Sequence, residues 1–259
     1  MYWRWNVKKH LLLDAPSNHM IVPYGTTVVG RHTVNTERRS MKLANDPTVD
    51  YKAMVERGYD CCAAAYDEAR KAETEQTLAM LIERLDNEAV VLDVGCGAGV
   101  PVARECARRF TVTGVDISGK MVERARINVP EGTFIHGDIM SIDFPAAHFD
   151  AVVAFYSIFH LPCEEHEELF RRIHRWLKPG GYLMATVSAR NESGYTEDDF
   201  FGMEMYWSNY GLEKYKELLE KLGFDLLEVT IVGHGYDETH QTPEEHHPLI
   251  LAQKSTEEA

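Results

Sequence analysis

Val91-Leu92-Asp93-Val94-Gly95-Cys96-Gly97-Ala98-Gly99-Val100 is the stretch on which the reading of this chain turns. An apolar run with one acid reads as a buried strand, and it leads straight into a turn with glycine at every second position. Gly95 can adopt the positive φ of a sharp strand-to-helix turn. Gly97 and Gly99 carry no Cβ, so a ligand can approach the backbone. The helix that follows points its free N–H groups toward that ligand. A second acid, Asp116, closes the next apolar run. Such an arrangement holds a nucleotide-like cofactor. A dinucleotide site expects G-x-G-x-x-G, with a small third residue packing helix on strand. Here the third position is Val100, and the spacing is G-x-G-x-G.

Written as VLDVGCGAG, the stretch resembles the first motif of the class I S-adenosylmethionine-dependent methyltransferases of small-molecule type. Four further segments resemble that family in the right order. Val112-Thr113-Gly114-Val115-Asp116-Ile117-Ser118 is similar to its second strand and Phe134-Ile135-His136-Gly137-Asp138-Ile139 to its third. Phe149-Asp150-Ala151-Val152-Val153-Ala154-Phe155 is similar to its fourth. Trp176-Leu177-Lys178-Pro179-Gly180-Gly181-Tyr182-Leu183 is similar to the turn into its fifth. The resemblance implies S-adenosyl-L-methionine as cofactor. It implies that Asp93 and the turn of Gly95, Cys96, Gly97 and Gly99 face the methionine moiety, that Asp116 faces the ribose, and that Asp138 with Ile139 faces the adenine. Ile117, Met121 and Phe155 join the cofactor-binding set on the same ground.

The rest of the chain predicts an α/β fold with a doubly wound, mostly parallel seven-stranded sheet, Rossmann-like, whose last strand is antiparallel. Strands are expected near 89–94, 111–116, 133–136, 150–155, 181–188, 225–232 and 247–254. Helices are expected near 99–109, 118–128, 164–176 and 211–222. Alternation of this kind gives a parallel sheet covered on both faces. The last two strands follow one another without a helix, which requires an antiparallel partner. Residues 48–259 form the expected methyltransferase domain. Within it, 48–87 reads as a helical cap. Residues 1–47 read as an N-terminal extension, basic and acid-poor, without the apolar core and cleavage site of a secretory signal. Met41 opens the part that matches the family.

Composition narrows the function. The chain has 259 residues, 44% of them hydrophobic, enough for one sizeable core. A net charge of −14 makes it a poor partner for phosphate backbones, so nucleic acid is not the expected substrate. No apolar run approaches a membrane span. Five cysteines without a C-x-x-C pair argue against a disulfide framework and for a reducing, cytoplasmic setting. The expected protein is a monomer or homodimer that meets a small-molecule substrate.

Two regions address the acceptor. After the fourth strand comes Phe155-Tyr156-Ser157-Ile158-Phe159-His160-Leu161-Pro162. His160 titrates near neutrality and is the candidate general base, with Tyr156 a second polar group beside it. The other reading of His160 is a structural histidine at a helix start. The loop lacks the Asn/Asp-Pro-Pro-Tyr/Phe sequence that methylases of nucleic-acid bases share. Tyr59 and Tyr66, seven apart, share a helical face. They either cover the methionine end, as the resemblance implies, or anchor the cap. Residues 189–210 carry Tyr195, Phe200, Phe201, Met203, Met205, Tyr206, Trp207 and Tyr210, a density expected of a lid over an apolar or aromatic substrate, of packing on the cap, or of a dimer contact. His234, His240, His246 and His247 lie among acids without a recognised ligand spacing, so no metal is expected. The expected activity is methyl transfer to O, N or S of a small apolar or aromatic metabolite. The alternative is a non-catalytic binder of the same cofactor.

Overall fold

The computed structural model describes residues 41–43, 48–70, 76–232 and 247–256. Their core is one seven-stranded sheet. It comprises β2 (Val90–Val94), β3 (Thr111–Asp116), β4 (Thr133–His136), β5 (Phe149–Ala154), β6 (Leu177–Thr186), β9 (Phe224–Val232) and β10 (His247–Lys254), in the order β4-β3-β2-β5-β6-β10-β9. Pairs from β4 through β6 are parallel, while β10 is antiparallel to both β6 and β9. The reversed last strand is therefore present as the missing helix predicts. β5 is buried at every position except Asp150, as expected for a strand covered on both faces.

Helices cover each face. On one side lie α2 (Ala79–Ile82), α3 (Val102–Ala107) and α4 (Gly119–Asn128), packed on Val91, Ala151, Val153 and Leu251. On the other lie α5 (Cys163–Trp176) and α6 (Leu212–Lys221), packed on Leu92, Val152, Leu183 and Ile250. α5 follows from its spacing. Cys163, His166, Leu169, Phe170, Ile173 and Trp176 fall three or four apart and are all buried. Glu164 and Glu165 in its first turn and His174 and Arg175 in its last suit the helix dipole.

Two features depart from the sequence reading. Residues 189–210 are not an irregular lid. They form a hairpin, β7 (Glu192–Phe200) and β8 (Met203–Asn209), turned by Phe201 and Gly202, both at positive φ (51° and 81°). Such a two-residue turn matches strand twist. The aromatic density misled because β8 is buried on consecutive positions, Met205 through Asn209, which hides the period of two. The second feature is β1 (Met41–Leu43), inside the stretch read as an extension. It pairs antiparallel with β7 and completes a three-stranded sheet. The rest of 1–47 lies outside the described residues, as do 233–246. Among the described residues, no helix is long and apolar enough to cross a membrane.

The cap reduces to one long helix, α1 (Tyr51–Arg70), and a short turn leading into α2. α1 lies across the carboxyl ends of the parallel strands. Asp60 accepts from Ser118 Oγ (2.6 Å) and from the Lys120 N–H (3.0 Å) at the start of α4. Asp67 accepts from Arg124 (2.8 Å) and Asn128 (2.9 Å) further along it. Gly58 lets β8 press close, since a Cβ there would stand 2.6 Å from Met205 Cε. Trp176 anchors the opposite side: fully buried, it donates to Asp143 (2.9 Å) and meets Phe144 edge-on. Trp176→Ala is expected to lower unfolding free energy by about 3–5 kcal/mol. A urea midpoint shift equivalent to less than about 1 kcal/mol would show that this corner of the core does not support the sheet.

Candidate active site

Four turns meet at the carboxyl edge of the sheet beneath α1, where open α/β sheets bind ligands. The turn after β2 is held by the Val115 carbonyl, which accepts from the Gly95 and Cys96 N–H groups (2.8 and 3.0 Å). Asp116, ending β3, accepts at one oxygen from Gly97 N–H and at the other from Ser118 N–H, both 2.8 Å. After β4, Asp138 accepts from Met140 N–H (2.8 Å), and Arg172 donates to the carbonyls of Ile139 and Met140 (3.1 and 2.6 Å). After β5, Tyr156 takes a positive φ of 55° and Ser157 Oγ donates to the Val94 carbonyl (2.6 Å).

Between them lies a cleft of about 730 Å³, part of it open to solvent. One end is walled by Asp116, Ile117, Asp138 and Ile139, the middle by Gly95 and Gly97, and the far end by Tyr59, Tyr66, Phe155, Tyr156 and His160. Every one of these residues was singled out in the sequence. Asp93, Cys96, Gly99 and Met121 are not among the residues lining the cleft. Asp93 is buried, and its charge adds to the burial that raises the thiols of Cys96 and Cys106. Met121 packs with Ala63, Ala98 and Val100. Lys52, Val55, Ser157 and Leu161 also line the cleft and were missed. For Lys52 a signal existed: it stands seven residues before Tyr59 on the same helical face.

The three glycines do different work. A Cβ on Gly95 would stand 2.2 Å from Ser157 Cβ, so the β5 turn can close only over glycine. A Cβ on Gly99 would press on Ala125 and Val129 of α4 at 3.2–3.3 Å. A Cβ on Gly97 would meet nothing within 4 Å, so its open side belongs to the cleft.

Titration behaviour follows from burial. Burial lifts the Asp116 carboxyl to about 6, against the pull of its two N–H donors. Burial lowers His160 to about 4, although the Tyr206 carbonyl pulls the other way. That carbonyl, 2.9 Å from Nδ1, can only accept, so Nδ1 carries the proton. Nε2 then accepts from the Tyr59 hydroxyl at 2.8 Å. His166 behind it is also held near 4 by burial, between the Leu161 carbonyl and the Tyr215 hydroxyl. The hairpin does not line the cleft. It forms the layer behind it, with Trp207 on the His160 ring (4.4 Å between centroids) and Phe200 on Tyr59 (5.4 Å). Of the four histidines read as a metal question, His247 is described. It lies against Tyr156 and Phe159, and no group of three metal-ligating side chains occurs among the described residues.

A family model for a methyltransferase domain matches residues 91–181, which supply nearly all of β2 through the first part of β6 and all four turns of the cleft. Over this segment the chain is similar to the class I S-adenosylmethionine-dependent methyltransferases. Methyltransferase GfsG of Streptomyces halstedii is 36% identical over 185 residues, 64% of this chain and 63% of that protein. The 27-O-demethylrifamycin SV methyltransferase of Amycolatopsis mediterranei is 36% identical over 137 residues, 50% of this chain and 49% of its own length. The chain thus spans half to two thirds of these relatives. Among solved structures, the 1,6-didemethyltoxoflavin-N1-methyltransferase of Burkholderia thailandensis, with its substrate and S-adenosylhomocysteine bound, shares the fold. Its TM-score is 0.63 at 19% identity, over 86% of this chain and 98% of that one.

Two predictions concern this cleft. Gly97→Ala is expected to fold and to lose S-adenosylhomocysteine affinity, whereas Gly95→Ala is expected to lose stability first. Calorimetry and thermal melts of the two variants separate these effects, and equal melting losses would refute the division. The second concerns pH. Ribose hydroxyls would donate to ionised Asp116, so bound ligand lowers its pKa and binding releases a proton below about 6. Affinity for S-adenosylhomocysteine is therefore expected to be full above pH 6 and to fall about tenfold per unit below it. A flat profile from pH 7 to 5 would exclude Asp116 from the ribose site.

Proposed function

We propose that this chain transfers a methyl group from S-adenosylmethionine to an oxygen, nitrogen or sulfur of a small, neutral, apolar or aromatic molecule in the cytoplasm. The observation that carries this is the asymmetry of the cleft. Its two carboxylates lie at one end, and the other end offers only aromatic rings, hydroxyls and an uncharged imidazole. The named substrates of the rifamycin and toxoflavin methyltransferases are also small molecules.

The residues fit the cofactor. Asp116 with Ile117 would take the ribose hydroxyls, Asp138 with Ile139 the adenine amine, and the open backbone at Gly95 and Gly97 the methionine portion. The family resemblance counts Asp93, Cys96, Gly99 and Met121 among the cofactor-binding residues, but none of them lines the cleft, so we assign them a role behind the turn. When bound, the cofactor supplies a methyl group already activated on a sulfonium. What remains for the protein is to orient the acceptor, exclude water and receive a proton. Phe155, Tyr66 and Tyr156 wall the acceptor end. The Tyr59 hydroxyl faces the cleft and already donates to His160 Nε2. An acceptor proton can thus pass to Tyr59 Oη as the tyrosine proton passes to His160, whose Nδ1–H remains on the Tyr206 carbonyl. The hairpin at 189–210 contributes by holding this pair from behind.

Transfer of label from S-adenosylmethionine is tested on the small-molecule and macromolecular fractions of a cell extract separately, and label found only in the macromolecular fraction would defeat the proposal. Tyr59→Phe keeps the ring and removes the hydroxyl. With a hydroxyl acceptor it is expected to lower kcat by roughly 10²-fold or more, the usual range for a lost acid–base group, with little change in S-adenosylhomocysteine affinity. A variant that changed only cofactor affinity would make Tyr59 a cover for the methionine end instead.

A further inference from the structure

Lys52 stands at the cofactor end of the cleft and belongs to no motif. Its ammonium lies 2.8 Å from Asp138 Oδ2 and 2.5 Å from Glu165. It therefore joins α1 to the turn after β4 and to the first turn of α5. Two carboxylates outweigh the burial that opposes its charge, so its pKa is raised and it stays an ammonium ion. The pair is about one quarter exposed on each side. Beyond it lies a second hollow, of about 540 Å³, lined by Asp50, Ala53, Glu56 and His136. That hollow and the main cleft share Lys52, Ile117, Gly137 and Asp138. The Lys52–Asp138 bridge thus forms the partition between the cleft and an outer opening at the adenine end.

Asp138 has two oxygens with different duties. Oδ1 accepts from Met140 N–H within its own turn, and Oδ2 accepts from Lys52. We infer that Lys52 gates cofactor exchange, its ammonium being a rival of the adenine amine for Asp138 Oδ2. This rests on the reading that Asp138 takes the adenine. Glu165 makes the exchange easy. When Lys52 leaves Asp138 it keeps its second carboxylate, so no charge is stranded in the wall. A part-exposed ion pair is weak and screened by salt. The gate therefore opens readily and responds to ionic strength.

The test is stopped-flow and calorimetric binding of S-adenosylhomocysteine to the full chain, at low and high salt. Lys52→Met is expected to bind faster and about threefold to fivefold tighter, the size of a weak surface ion pair. Salt is expected to speed and tighten binding to the unaltered protein and to leave the variant unchanged. Thermal melts confirm that the variant is folded, and Lys52→Arg should behave as the unaltered protein. Weaker binding by Lys52→Met, or identical rates and salt response in both proteins, overturns the gate. Asp138→Ala distinguishes the two readings. If it weakens binding while Lys52→Met has no effect, only the gate falls. If it leaves affinity unchanged, the adenine assignment falls and the gate with it.

Discussion

The carboxylate of Asp116 holds the working edge of this protein together. One oxygen accepts from Gly97 N–H and the other from Ser118 N–H, so a single side chain joins the glycine turn to the start of α4. The neighbouring carbonyl of Val115 takes the two preceding amides of the same turn. Polar backbone at a buried strand end must be satisfied somewhere. Here it is satisfied by the residue that also faces the cleft. Each carboxylate oxygen retains further accepting capacity, which is what lets a structural acid serve a ligand.

The roof over that edge is one helix. α1 meets the rim through Lys52, Tyr59, Asp60 and Asp67, residues that recur at seven and so share a face. Its partners lie in the segments that follow β3, β4 and β5. Because a helix is rigid over two turns, the Lys52–Asp138 bridge and the Tyr59 phenol belong to one body.

Behind the roof, the hairpin sets the character of the end of the cleft that holds His160. It brings Trp207 and the Tyr206 carbonyl against His160 and keeps the imidazole dry and neutral. A neutral imidazole with Nδ1–H fixed has one lone pair to offer, and Tyr59 stands on it. A histidine alone in such a place is a weak base. The Tyr59 phenol stands between it and the cleft.

The seven strands, the reversed final strand and the positions of Asp116, Asp138 and the glycine turn were legible in the sequence. They depend on local chemistry: period, positive φ at Gly95 and the length of a connection. Gly99 was legible as a turn glycine, but its job is packing on α4, which only the folded helix reveals. The aromatic density of 189–210 left a lid, packing on the cap and a dimer contact open, and periodicity could not show the hairpin because its second strand is buried on both faces; the structure packs it against α1. Lys52 and Glu165 belong to no sequence motif, and only their meeting with Asp138 marks them. Local sequence determined where the backbone turns and where acids end strands, since those choices are made among neighbours. Tertiary structure decided which groups meet, because Lys52 and Asp138 are 86 residues apart and Tyr59 and His160 are 101 apart. No short-range rule orders such pairs. Burying a common apolar face of α1 against the rim does.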